Sequence, residues 1–123
     1  MDFLATARAL QKYTIQKCLQ MPKRYTFYVG VPLADHARAV YDCAKKANSI
    51  YPLNKHEAQL RRDYFLEAYA ELQALISQIE IAHEIVQFDV SIMQEWSGLI
   101  KKELDALKGT MKSDRERYKK LPD

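Results

Sequence analysis

Glycine and proline are scarce: three and four of 123 residues, about half their usual combined share. Too few turn-formers remain for an all-β chain, so helix is the default. Cysteine is scarcer still. Cys18 and Cys43 sit in helix-like sequence with no CxxC spacing and no nearby pair of histidines, which argues against a disulfide framework or a zinc site and for two small core residues. No uninterrupted apolar run approaches the ~18 residues of a membrane span, and the opening Met-Asp-Phe-Leu carries an acid where a secretion signal needs Lys or Arg. These features lead us to expect a soluble, cytoplasmic protein. At 123 residues the chain is one domain, without room for a second core.

What is present is helical periodicity, punctuated by Pro22, Pro52, a polar break near Asp89, and Gly109. Phe3, Ala7, Leu10, Thr14, Cys18 and Met21 recur at steps of three and four, an apolar stripe on a first helix that Pro22 stops. Pro32 suits the first turn of a second helix, whose stripe runs through Leu33, Ala37, Val40, Tyr41, Ala44 and Ala47 to Asn48. Lys23 to Val31 then forms an irregular arm or a separate helical turn, with Phe27 and Tyr28 expected to plug the bundle end. Asn54 followed by Glu57 predicts a capping box opening a third helix. Its seam, Ala58, Phe65, Ala68, Leu72, Leu75, Ile79, Ala82 and Val86, extends over roughly 32 residues. Asp89 caps a fourth, with Ile92, Met93, Trp96, Leu99, Ile100, Leu104 and Leu107 inside and Gly109 as its C′ residue. Ser113 with Glu116 starts a short charged tail helix that frays unless something holds it. The expected architecture is an all-α, antiparallel up-and-down four-helix bundle with that C-terminal tail helix. The third helix is so much longer than the first that we expect a neighbouring copy to cover it, making a homo-oligomer.

A net charge of +3 hides strong segregation. Residues 1–62 hold eleven basic and four acidic side chains, residues 63–107 two and nine, and residues 108–123 six and three. The segments therefore carry +7, −7 and +3, an asymmetry that suggests a polyanionic partner. The candidate nucleic-acid contacts are Arg8 and Lys12 on the first helix, Lys23 and Arg24 in the arm, Lys45 and Lys46 late in the second helix, and Lys55, Arg61 and Arg62 early in the third. Of these, Lys45, Lys46, Lys55 and Arg62 should gather at one end, where phosphates can bridge them. Arg61, inside the third helix's seam, reads equally as an ion-paired residue. Phe27 and Tyr28 beside Lys23 and Arg24 offer faces for stacking bases. For any single lysine a solvated helix face is the simpler explanation; it is the clustering that favours a nucleic acid.

Signatures of catalysis are missing. Gly30, Gly98 and Gly109 stand alone, so no phosphate loop can be built from them. His36, His56 and His83 form no HExxH, Glu80 to His83 is only half of a di-iron pattern, and the serines lack a nucleophile signature. We expect no enzymatic activity, no metal and no cofactor.

The order of parts resembles a known family. A helix precedes the Pro22-Lys23-Arg24-Tyr25-Thr26-Phe27 arm, and a second helix ends in Ala47-Asn48-Ser49-Ile50-Tyr51-Pro52. A third opens with Lys55-His56-Glu57 and Leu60-Arg61-Arg62-Asp63-Tyr64, and Trp96 lies in the fourth. Over roughly residues 8–118 this is similar to the small four-helix-bundle proteins that include the accessory variability determinants of diversity-generating retroelements and the proteins of rRNA intervening sequences. The resemblance implies a ring-like pentamer that partners a reverse transcriptase and binds RNA or an RNA/DNA hybrid without doing chemistry itself. Members of that kind are more basic than this chain. The alternative is an oligomeric protein-interaction scaffold that binds no nucleic acid.

Overall fold

The computed structural model describes residues 2–123 and is all-helical. Four helices, α1 (Phe3–Leu19), α2 (Val31–Asn48), α3 (Lys55–Val86) and α4 (Val90–Arg117), form an antiparallel bundle. Packing runs around a square: α2 lies along α3, α1 along α2 and α4, and α3 touches α4 much less closely.

The expected apolar stripes supply the core. Phe3, Ala7 and Leu10 of α1, Leu33, Ala37, Val40, Ala44 and Ala47 of α2, Phe65, Ala68, Leu72 and Leu75 of α3, and Trp96, Ile100 and Leu107 of α4 are all buried. Burying each of the larger ones contributes ~1.5–3 kcal/mol. The indole Nε1–H of Trp96 donates to Thr14 Oγ1 (2.9 Å), and Thr14 donates in turn to the Leu10 carbonyl (2.8 Å). A hydroxyl and a ring N–H are thus satisfied inside the apolar interior.

Helix boundaries follow from capping. Asp2 Oδ1 accepts from the Leu4 amide at the start of α1. The expected capping box opens α3: Asn54 Oδ1 accepts from the Glu57 amide, and Glu57 reaches back to accept from the Leu53 amide, both at 2.8 Å. Gln87 ends α3 in the left-handed region (φ 59°), its N–H bonded to the His83 carbonyl. Asp89 occupies the N-cap position of α4, but its side chain makes no capping bond.

Two local expectations need correction. The arm is a 3₁₀ turn, Lys23–Tyr25, followed by a π turn, Thr26–Gly30, that runs directly into α2. Pro32 has no N–H to give and would crowd the carbonyl four residues back in a regular helix; the wider turn, with the Val31 N–H bonded to the Thr26 carbonyl, precedes it. Val29 and Gly30 face inward, so Phe27 and Tyr28 do not plug the bundle end but stand 79% and 90% exposed. The second correction concerns Gly109 and the tail helix. α4 passes through Gly109 without interruption to Arg117, so there is no separate tail helix and no C-cap at that glycine. The cost of an interior glycine, ~0.5–1 kcal/mol, is offset by contacts farther along. With 28 residues α4 nearly matches the 32 of α3, which leaves α1 and α2, at 17 and 18 residues, as the two short helices.

Candidate nucleic-acid interface

The end of the bundle where α2 finishes, α3 starts and α4 finishes is organised by Arg61. Its guanidinium is buried, 6% exposed. Nη1 donates to the carbonyls of Ala47 (3.2 Å) and Ile50 (3.0 Å), closing the C-terminus of α2, while Nε donates to Asp114 Oδ2 at 2.7 Å. The same group lies 5.1 Å from the Phe65 ring centroid. One side chain on α3 therefore ties α2 to α4, as the planar multi-donor fork of arginine allows and a lysine ammonium does not. Arg61 is an internal strut, and its place among the expected nucleic-acid contacts is corrected: a buried charge already paired and hydrogen-bonded has nothing left to offer a phosphate. Beyond it, the Lys55 amide donates to the Pro122 carbonyl (2.8 Å), holding the last residues against the start of α3.

Around this strut lies a groove between the first turns of α3 and the last turns of α4. Two adjoining hollows of about 360 and 430 Å³ share Arg62, Met111 and Arg115 in their walls. Six cations line them: Lys55 and Arg62 from α3, and Lys108, Lys112, Arg115 and Lys119 from α4 or just after it. The only acid in either wall is Asp114, whose carboxylate is 13% exposed and engaged by Arg61. Among the described residues Arg62, Lys108, Lys112 and Arg115 make no ion pair, whereas Lys55 meets Asp123 (3.3 Å) and Lys119 meets Glu116 (3.7 Å) on exposed surface, pairs of little energetic weight.

The expected contacts thus divide. Lys55 and Arg62 share the groove. Lys45 and Lys46 are exposed at the same end of the bundle but outside it, Lys46 lying 5.8 Å from the Tyr64 ring centroid. Arg8 and Lys12 stand on the outer face of α1. Lys23 and Arg24 belong to the opposite end, where Arg24 folds over its neighbour Tyr25 (4.6 Å to the centroid). Four groove cations, Lys108, Lys112, Arg115 and Lys119, were not among the expected contacts. The i, i+4 and i+7 spacing of Lys108, Lys112 and Arg115 marks one helical face, with Lys119 just past the helix end, a signal obscured once Gly109 is taken as a helix end.

Other candidate chemistry is quiet. Burial pushes the Cys18 and Cys43 thiols up to about 11, far from the reactive thiolate range. Among the described residues no three His, Cys, Asp or Glu side chains converge in a way that could hold a metal ion, and no helix is long and apolar enough to cross a membrane. The one anomalous acid is Glu103, fully buried between α1 and α4. It shares a hydrogen bond with the Thr6 hydroxyl through Oε1 and leaves Oε2 without a partner. Burial, reinforced by the negative charge of Asp2 and opposed by the Thr6 hydrogen bond, raises its carboxyl to about 8. Compared with family models, curated proteins and solved structures, the chain matches none.

Proposed function

We propose that this protein binds nucleic acid through the α3–α4 groove and does no chemistry on it. The supporting observation is the convergence of Lys55, Arg62, Lys108, Lys112, Arg115 and Lys119 around a groove whose single acid is already neutralised from beneath. Phosphates meeting such an array release counterions, and that entropy supplies sequence-independent affinity. Helix dipoles favour cations at the end of α4 but would favour acids at the start of α3. They therefore account for Arg115 and Lys119 but not for Arg62 near the start of α3, which makes no ion pair among the described residues.

The biological setting in this proposal follows the family resemblance: an accessory protein of a reverse-transcribing retroelement, bound to RNA or an RNA/DNA hybrid and to the reverse transcriptase, and assembled as a homo-oligomer, a pentamer on that pattern. The deciding experiment is a salt titration of binding to RNA and to an RNA/DNA hybrid. Affinity should fall steeply with salt, and Lys112→Glu with Arg115→Glu should weaken it several-fold while the helical circular dichroism stays unchanged. Binding indifferent to salt, or absent at low salt, removes the proposal and leaves the scaffold. Light scattering of the same preparation tests the assembly; a mass of 14.3 kDa at high concentration rejects it.

A further inference from the structure

We infer that the α3–α4 groove takes the phosphate backbone of a duplex and discriminates against single strands. This rests on the reading of that groove as a nucleic-acid interface and names the class of ligand it accepts. Single-stranded binders gain ~1–3 kcal/mol per base from aromatic faces left open for stacking, and here each ring around the groove is either buried or half-buried beside a cation of the protein itself. Phe65 is fully buried under the Arg61 guanidinium. The Tyr69 ring carries Lys108 Nζ at 5.9 Å from its centroid. Tyr118 has the guanidinium carbons of Arg61 and Arg117 each at 5.8 Å. The open rings of Phe27 and Tyr28 lie at the opposite end of the bundle.

A groove whose cations outnumber its partly open rings gains most from the ligand with the densest, stiffest row of phosphates. Lys108, Lys112 and Arg115 lie along one face of α4, covering about 10 Å at ~1.5 Å rise per residue, and Lys119 follows just past the helix end. A duplex places a charge every ~1.7 Å of its axis and returns more counterions per contact than a single strand, with slopes of about −0.9 against −0.7 per phosphate. With Arg62, Lys108, Lys112 and Arg115, the four groove cations that make no ion pair among the described residues, engaged, the plot of log affinity against log salt should have a slope of about −3.6 for a duplex.

The test compares a mixed-sequence RNA duplex and an RNA/DNA hybrid with an unstructured single strand of equal length, across a salt series. The expected result is duplex binding roughly tenfold or more tighter than single-strand binding at matched salt. Lys112→Glu with Arg115→Glu should weaken duplex binding and flatten the slope by about 1.8, while Phe27→Ala with Tyr28→Ala leaves duplex affinity untouched. A single strand that binds as tightly as the duplex, or duplex affinity that falls in the aromatic variant, overturns the inference and keeps the nucleic-acid reading. Failure of every probe to bind at low salt removes both.

Discussion

Arg61 shows how much one residue can decide. Arg62, its neighbour in sequence, and Lys55, six residues earlier, face a groove, while Arg61 points into the bundle and holds three helix ends together. Removing one partner of a buried pair strands the other charge, at a cost of ~3–5 kcal/mol. Arg61→Met should therefore lower stability by about that much in urea melts, and Asp114→Asn by less, because the amide still accepts a hydrogen bond. Equal, negligible losses would mean that the strut carries no weight. Glu103 makes the opposite prediction. Its carboxyl is held protonated up to about 8 in the fold, whereas the unfolded chain releases that proton near 4.5. Between those values the unfolded state binds fewer protons, so rising pH weakens the fold by at most ~1.4 kcal/mol per unit. The contribution is fully present below the unfolded value and lost as pH climbs to the folded one. Glu103→Gln should remove this slope and be more stable than the parent at pH 8; urea midpoints at pH 5 and pH 8 read it directly.

At the scale of elements, α4 separates what the sequence made legible from what it did not. Stripes at steps of three and four identified all four helices and nearly the whole core, because burial of a helix face is local information repeated every turn. The Asn54 and Glu57 cap was equally readable, being a contact across three residues. The continuation of α4 through Gly109 was not, since what offsets that glycine is the Arg61–Asp114 pair, 53 residues apart in sequence. The same long-range contact hid half of the groove, for the cationic face of α4 exists only if the helix does. A Cβ at Gly109 would meet nothing within 4 Å, and the backbone there is helical. Gly109→Ala should therefore stabilise the protein by ~0.5–1 kcal/mol, raising the thermal midpoint; a loss of stability would signal a left-handed glycine and a broken helix. Gln87 is the converse case, a long side chain in the left-handed region at the end of α3. Gln87→Gly should gain of the order of 1 kcal/mol, read in the same melts.

The whole molecule gathers its excess positive charge at one end, which the modest net charge conceals. Residues 45–62 carry five basic and one acidic side chain and residues 108–123 six and three, and all of them sit at one end of the bundle. Toward the other end Glu80, Glu84, Asp89 and Glu95 are nearly balanced by Lys17, Lys23 and Arg24. Concentrating like charge in this way opposes folding, because the repulsion acts across distances comparable to the ~10 Å screening length of moderate salt. Lys108 and Lys112 are exposed and make no ion pair among the described residues, so they relieve none of that repulsion by local pairing. Lys108→Gln with Lys112→Gln should consequently stabilise the protein by a few tenths of a kcal/mol per site at low ionic strength, and the gain should vanish in concentrated salt. The same pair should weaken nucleic-acid binding, whose affinity grows with the number of phosphates neutralised. Opposite signs for stability and binding in one double variant, both fading with salt, are what a surface shaped for a polyanion requires. Were the variant less stable at low salt, those lysines would be held by pairing within the fold, and the groove would have no charge to spare for a ligand.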